Sequence, residues 1–217
     1  MAPSTILTDT ELSAVNSILG AIGQAPISAL PTDYVGDNTE YYQNPEIALI
    51  YNILTEVNKD VQNEGWHFNT EDHVKVTLNS DGFLTLPSDS TYETLRYDFH
   101  DAWDRTYDVV ERNGKLWDKV EHTETFKKGD YYLDIVRLFK FDNLPNVFQR
   151  YITHKASVRA AAQMVSNPTL VQLLQQQEIV ARAACIEYDT DQGDHNFMGF
   201  DHGTSYRTYQ PHIALRR

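Results

Sequence analysis

The sequence predicts an α+β protein, in which helices from both chain ends form one helical bundle domain and an antiparallel β-domain is inserted between them. Apolar residues recur at helical spacing near both ends of the chain, whereas residues 66–139 change to the two-residue period of strands. The predicted domains are residues 1–65 with 145–188 for the helices, 66–144 for the β-domain, and 189–217 for an extended C-terminal tail.

Two helices are expected before the β-domain. Thr8 and Glu11 match a capping box, in which each side chain accepts a hydrogen bond from the backbone of the other residue, and Gly23 ends the helix that follows. Residues 44–46 place a capping asparagine, a first-turn proline and an acid at the start of the second helix. Gly65 is predicted to end that helix in the left-handed conformation, which glycine adopts at little cost.

The β-domain is predicted to open at Trp66. Trp66 and Phe68 alternate with His67 and Asn69, which is the side-chain period of a strand. This alternation would place the two aromatic rings on one face and the two polar groups on the other. The step from helix to sheet is therefore predicted as a direct junction.

Turn signals divide the rest of the β-domain. Residues 79–82 and 112–114 each contain a glycine where a hairpin turn needs positive φ, so each is predicted to connect two antiparallel strands. Pro87 and the polar residues after it mark a connecting loop. Residues 131–139 predict a long strand with these apolar side chains on one face: Leu133, Ile135 and Phe139.

Two further helices follow the β-domain, beginning at Pro145 and Pro168. Residues 189–194 are rich in Asp and Gly and are predicted to form a turn after the second of these helices. The apolar stripe of that helix is expected to run to about Tyr188 through Leu170, Val171, Leu174, Ile179, Ala183 and Ile186.

Composition excludes several classes of function. The 217-residue chain has a formal net charge of −13, which argues against a broad nucleic-acid-binding surface because phosphate contacts need Lys and Arg. We expect neither a secretory signal nor a membrane span, since no apolar run of either kind is present. The eight His are dispersed, and the single cysteine, Cys185, has the small apolar neighbours of a buried residue. No metal, cofactor or enzymatic activity is therefore expected.

Acidic residues leave one catalytic possibility open. Six acids lie between Asp98 and Asp118, and a close carboxylate pair there could hydrolyse a glycosidic bond. Alternating acids in a tyrosine-rich sheet are more typical of a solvated face. The acids of residues 189–194 do not match a calcium loop, since Asp194 stands where an EF-hand requires glycine.

Residues 195–217 differ from the rest of the chain. They keep several aromatic residues and have no acid after Asp201, while arginines are present. Such a segment cannot bury enough apolar surface to fold alone. It either orders by docking on a partner or is a loose chain end, and both readings are compatible with its composition.

Several short motifs, by their order and spacing, resemble the tail tubular protein A family of short-tailed (podovirus-type) bacteriophages, the head-to-tail adaptor between portal and tail nozzle. The resemblance covers most of the chain and rests on residues 14–19, 22–27, 64–69, 81–87, 116–118, 143–145 and 150–152. The motif positions with structural roles are Gly65, Trp66, Phe68, Asn69, Gly82, Pro87, Trp117, Asp118 and Pro145.

The resemblance implies a structural protein of the virion, assembled in the host cytoplasm. It implies a ring of twelve copies that binds the portal protein on one face and a tail nozzle, similar to tail tubular protein B, on the other. Such a ring helps to hold the tail fibre protein and lets DNA pass without specific binding. The tail would then bind the portal through the aromatic anchors Phe200, Tyr206 and Tyr209, and through Arg207, Arg216 and Arg217.

Two other functions stay open on the residues alone. The first is a β-rich binding module that recognises a tail fibre or a surface glycan through exposed Tyr and Trp side chains. The second is a glycan hydrolase built on the acidic β-segment. Assembly into a ring would favour the adaptor. An exposed aromatic platform would favour the binding module, and a carboxylate pair in a pocket would favour the hydrolase.

Overall fold

The computed structural model describes residues 10–30, 45–86, 92–99, 108–127, 129, 131–165 and 167–193. Four helices lie within those ranges: α1 (Glu11–Ala21), α2 (Pro45–Gln62), α3 (Asn146–Met164) and α4 (Pro168–Gly193). Five strands lie between α2 and α3: β1 (Thr70–Val76), β2 (Tyr92–Phe99), β3 (Val109–Arg112), β4 (Lys115–Asp118) and β5 (Tyr131–Phe139). This order confirms the α+β class, with the strands inserted into a helical unit.

Helix α3 is the centre of the helical unit, because α1, α2 and α4 all pack against it. Its residues Phe148, Tyr151 and Ile152 are at most 1% exposed. They join a single apolar core whose other buried members include Val15, Ile18, Ile50, Leu54, Val57, Val61, Trp66, Ala156, Ala160 and Cys185. Burial of this surface is the main force that holds the helices together.

The start of α1 differs from the prediction. Thr10 is the N-cap: its Oγ1 accepts the Ser13 N–H at 3.3 Å, and the Ser13 Oγ accepts the Thr10 N–H at 3.0 Å. The predicted capping box starting at Thr8 is wrong, because Thr10 is the N-cap and Ser13, at the third helical position, supplies the reciprocal bond; Thr8 itself lies outside the described residues. The N–H of Glu11 instead donates to Asp142 Oδ1 at 2.9 Å, which ties α1 to the turn before α3.

Prolines begin three of the helices as predicted: Pro45 and Pro168 are the first residues of α2 and α4, and Pro145 immediately precedes α3. The predicted turn after Tyr188 is wrong for the described residues, since α4 continues to Gly193. Polar residues do not break a helix unless they remove its hydrogen bonds. The Thr190 hydroxyl, for example, donates to the Ile186 carbonyl at 2.7 Å within the continuing helix.

The larger sheet has the order β1-β5-β2, with both outer strands antiparallel to β5. Strand β2 had no individual prediction. Its register shifts between Thr94 and Arg96, so its apolar residues depart from a strict two-residue period. A second bulge in β1, at His73 with φ 60°, is held by the Asp134 carboxylate, which accepts the His73 N–H at 2.8 Å.

Both predicted hairpin turns are confirmed. Asn113 and Gly114 connect β3 to β4 with φ of 53° and 75°, the left-handed pair that a type I′ turn requires. In the other turn Gly82 has φ +82°, and the Asn79 N–H donates to the Phe83 carbonyl at 2.9 Å. That turn joins Leu78 and Leu84 by an isolated bridge instead of two long strands.

Strand β5 contributes to two cores. Leu133 and Ile135 are fully buried in a β core that also contains Val76, Leu84, Leu116, Phe126 and Tyr131. Phe139 was predicted on the same face, but it packs against the helical core instead. The strand therefore runs from one core to the other, and its C-terminal end lies beside the end of α2.

Candidate functional site at the junction of the two units

The junction is the segment Gly65–Asn69 together with Gln62 and the end of β5. The predicted strand at Trp66 is wrong: His67–Asn69 form a short 3-10 helix, and β1 begins at Thr70. The N–H groups of Asn69 and Thr70 both donate to the Trp66 carbonyl, at 3.1 and 3.0 Å. Tertiary hydrogen bonds of the Asn69 side chain keep this turn closed, and the alternating sequence contains no sign of them.

Asn69 connects three parts of the chain with one side chain. It is 0% exposed, and its Oδ1 accepts the Trp66 N–H at 2.8 Å. Its Nδ2 donates to the Gln62 carbonyl at 2.8 Å and to the Arg137 carbonyl at 2.9 Å. Both amide protons and the amide oxygen are therefore used, which is the condition for burying an asparagine at low cost.

Gln62 makes the second buried amide link. It is also 0% exposed; its Oε1 accepts the Phe139 N–H at 2.8 Å and its Nε2 donates to the Phe139 carbonyl at 2.9 Å. The same Nε2 donates to Asn58 Oδ1 at 2.8 Å. Gln62 thus pairs with the end of β5 as another strand would. Sequence reasoning missed it, because a buried glutamine on a helix has no pattern that distinguishes it from a solvated one.

Aromatic rings fill the apolar side of the junction. Trp66 is 7% exposed, and its Nε1–H donates to the Val61 carbonyl at 2.7 Å. The ring of Phe148 on α3 lies 5.0 Å from Trp66 and 4.5 Å from Phe68, centroid to centroid. Tyr188 on α4 meets Phe148 edge-on at 6.1 Å. These contacts attach the junction to two helices at once.

Gly65 carries a testable backbone constraint. Its φ is +79°, and an added Cβ would lie 2.9 Å from Arg96 Nη2 and 3.4 Å from Val136 Cγ2. The Gly65→Ala variant is expected to lower the free energy of unfolding by about 1–3 kcal/mol, because an alanine is strained at this φ. Chemical denaturation measures the difference.

The control is Gly20→Ala, at an exposed helical position with nothing within 4 Å of the added Cβ. It is expected to raise the free energy of unfolding by about 0.5–1 kcal/mol. Equal effects at the two glycines would contradict the constraint at Gly65.

Polar contacts fasten α4 to the same junction. Arg182 donates to both carboxylate oxygens of Glu64, at 3.1 and 2.9 Å, and to the Tyr151 hydroxyl at 2.7 Å. The hydrogen bonds to Glu64, and after them the one to Tyr151, raise the pKa of the Arg182 guanidinium above its ordinary value. The His67 N–H donates to Asp189 Oδ1 at 2.7 Å. Asp189 lies in the part of α4 that extends beyond the predicted end of the helix at Tyr188.

Cys185 is a buried structural residue, as predicted. It is 0% exposed, and its Sγ–H donates to the Val147 carbonyl at 3.4 Å. Burial raises the pKa of its thiol to about 12. A thiol of this kind stays protonated near neutral pH and is a poor nucleophile.

The motif residues of the β unit have structural contacts. The Asp118 carboxylate is buried and accepts the Val120 N–H at 2.8 Å, so it closes the turn after β4. Trp117 is half-buried beneath the Arg112 guanidinium, which lies 4.7 Å from its ring centroid. The Gly82 carbonyl accepts the Phe126 N–H at 3.0 Å. Pro87 and all six proposed portal-binding residues of the tail lie outside the described residues.

Helix α4 exposes most of its length. Only Leu174 and Cys185 are buried among its 26 residues. The predicted stripe is wrong for Ile179 and Ile186, which are 67% and 50% exposed. Leu173 and Val180 are exposed too, at 54% and 70%. One helix face is enough to pack on α3, so the other apolar side chains of α4 point outward.

A groove of about 800 Å³ runs between α3 and α4. Val147, Arg150 and His154 line it from α3, and from α4 it is lined by Leu173, Gln176, Gln177, Val180, Ala181 and Ala184. Burial, together with the positive charge of Arg150, lowers the pKa of His154. Sequence reasoning did not single out this groove, because its residues come from two helices with ordinary amphipathic patterns.

The described residues contain neither a metal-binding cluster nor a membrane-spanning helix. No cluster of three or more His, Cys, Asp or Glu side chains suitable for a metal ion occurs in the part of the chain that the structure describes. Among the helices described, none combines the length and the apolar character needed to cross a membrane.

Fold and junction together define an α+β protein with two cores joined by buried amides and aromatic rings. In comparison with known families, residues 12–195 match the tail tubular protein family, across both units and including the junction. The chain therefore belongs to the tail tubular protein family, a structural component of the phage tail that assembles with other tail components. No individual curated protein matches the sequence.

Proposed function

We propose that this protein is a ring-forming adaptor that joins the portal to the tail nozzle and forms part of the conduit for DNA ejection. The family match over residues 12–195 carries the proposal. The junction supports it: buried hydrogen bonds from Asn69 and Gln62 hold the helical and β units together. A fixed angle between two units suits a ring wall that contacts one partner above and another below.

The charge of the chain fits a conduit. A net charge of −13 keeps the phosphate backbone of passing DNA from adhering, since like charges repel. This role requires no specific DNA contact and no enzymatic step. A lumen lined by a net excess of Lys and Arg would contradict it.

The C-terminal tail is the proposed portal contact. Phe200, Tyr206 and Tyr209 would fill apolar pockets, and the arginines 207, 216 and 217 would pair with portal acids. The match to the family ends at residue 195, so the family resemblance does not extend to this contact.

The experiment is a native-mass measurement of the full chain mixed with the portal protein from the same genome. A complex with equal numbers of both chains is expected. A variant lacking residues 195–217 keeps α4 whole, since that helix ends at Gly193, and is expected to fold but not to bind the portal. Replacing Tyr206 and Tyr209 by serine tests the anchors at full length. Undiminished portal binding by the truncated chain would contradict the assignment of the tail.

The alternative functions receive less support from the described residues. Every described aromatic side chain whose burial is known is buried or half-buried, so no exposed aromatic platform for a glycan is present in that part of the chain. Among the acids between Asp98 and Asp118, Asp118 closes a turn and Asp108 pairs with Lys119 at 2.8 Å. Nozzle and fibre contacts remain part of the adaptor proposal.

A further inference from the structure

We propose that two surfaces of α4 bind each other between neighbouring copies of this chain. One surface is the ridge formed by Ile179, Ala183 and Ile186. The other is the groove between α3 and α4, lined by Leu173, Val180 and Ala184. The inference rests on the proposed ring and names the surfaces that would close it.

Helical geometry separates the two surfaces. Residues seven positions apart lie within about 20° of each other around a helix, so Ile179 and Ile186 form one line and Leu173 and Val180 another. Adjacent residues differ by about 100°, so the two lines face different directions around the helix. Both lines point away from the buried contacts of Leu174 and Cys185.

Two different surfaces on one molecule are what a ring needs. A contact that pairs one patch with the identical patch of a neighbour gives a closed dimer, whereas a head-to-tail contact continues from copy to copy until the rotation closes. A ridge that enters the groove of the next copy is a head-to-tail contact. The groove, at about 800 Å³, is large enough to take several aliphatic side chains.

Charge points to a second copy as the occupant. The chain carries −13 overall, yet the one charged side chain among the exposed residues of α4 from 172 to 186 is basic, Arg182. Within that stretch Glu178 is half-buried and Arg182 is bound to Glu64. Two acidic copies can therefore approach along this face without facing each other's carboxylates.

No acid is among the residues that line the groove. Arg150 is the one permanently charged side chain among them, so a second acidic copy meets no carboxylate there. A nucleic acid would need a basic stripe, which the uncharged ridge does not supply. Gln176 and Gln177 also line the groove and supply amides that both donate and accept hydrogen bonds.

The test uses two full-length variants that each lose one surface. Ile179→Glu places a charge on the ridge and Val180→Glu places one in the groove; both side chains are highly exposed, at 67% and 70%, so the fold should tolerate either change. Val120→Glu, at a 54% exposed position in the β unit, is the matched control. Circular dichroism verifies that all three are folded.

Sedimentation equilibrium then measures self-association over a range of concentrations. The wild-type chain and the Val120→Glu control are expected to associate beyond a dimer. Each α4 variant alone is expected to have a dissociation constant at least about tenfold higher. An equimolar mixture of the two variants is expected to give a dimer and nothing larger, because it retains one intact ridge and one intact groove.

Several outcomes would overturn the inference. These are a wild-type chain that stays monomeric up to its solubility limit, association that both α4 variants keep, and a mixture that gives no dimer. The last result would indicate a symmetric contact or a different surface. Portal binding of the same variants is measured separately. If the variants bind the portal but their mixture gives no dimer, the contact between the ridge and the groove is excluded and the proposed adaptor function is not.

Discussion

Replacing Asn69 with alanine is expected to lower the free energy of unfolding by about 3–5 kcal/mol. The side chain is 0% exposed, and its loss leaves the Trp66 N–H and the carbonyls of Gln62 and Arg137 without their partner. Each buried polar group left unsatisfied costs about 1–3 kcal/mol, and the vacated volume adds to that cost. Urea denaturation of the full chain measures the change.

Asn63→Ala is the matched control, because Asn63 is exposed and lies at the same end of α2. A change within about 0.5 kcal/mol is expected there. If Asn69→Ala and Asn63→Ala were equally mild, the buried amide would not be what joins the units. A steeper loss of the sheet signal than of the helix signal would show that the β unit opens first.

Replacing Phe148 with alanine is expected to lower the free energy of unfolding by about 3–5 kcal/mol. The ring is 0% exposed and contacts Trp66, Phe68 and Tyr188. Its removal opens a cavity where α3, α4 and the junction meet, and the surrounding side chains cannot fully close it. Thermal and chemical denaturation both report this loss.

Comparing Phe148→Leu with Phe148→Ala separates the effect of the lost apolar volume on stability from the effect of the lost ring contacts. Phe148→Leu keeps most of the apolar volume and is expected to cost less than half as much as alanine, about 1–2 kcal/mol. Near-ultraviolet circular dichroism should also change in both variants, since the packing of Trp66 depends on the ring. Identical costs for leucine and alanine would mean that the edge-on ring contacts, and not the filled volume, stabilise this site.

The contacts of the junction explain why the motif around Gly65 can be recognised in the sequence, although the conformation of its backbone could not be predicted from the sequence. Gly65 is required by a φ of +79°, and Trp66 by a buried contact with Phe148. Asn69 is required by three hydrogen bonds, two to the nearby backbone of Trp66 and Gln62 and one to the carbonyl of Arg137, which is distant in sequence. Alternation of apolar and polar residues predicted a strand there, but the pattern arises because two rings face a core and one amide faces buried carbonyls.

Local chemistry was sufficient for the elements that are held by their own residues. Prolines 45, 145 and 168 begin helices because proline has no N–H to lose at that position. Asn113 and Gly114 form a hairpin turn because both tolerate positive φ. Residues 131–139 form a strand because they are rich in aromatic and β-branched side chains and their burial alternates from Tyr131 to Ile135. The α+β class and the insertion of the strands follow from these signals alone.

Tertiary structure decided what depends on a distant partner. Long-range hydrogen bonds join the start of α1 to Asp142, the side chain of Asn69 to the Arg137 carbonyl, and the N–H of His67 to Asp189 in the extended end of α4. The outward position of Ile179 and Val180 follows from packing, since α3 covers only one face of α4. Apolar residues occur on several faces of α4, so their presence alone does not predict which face packs on α3. Sequence by itself determined that helices lie toward both ends of the chain with strands between them, and which class of fold they form. The three-dimensional arrangement determined which polar groups are buried and which apolar ones are left for a partner, because both depend on contacts between residues far apart in the chain.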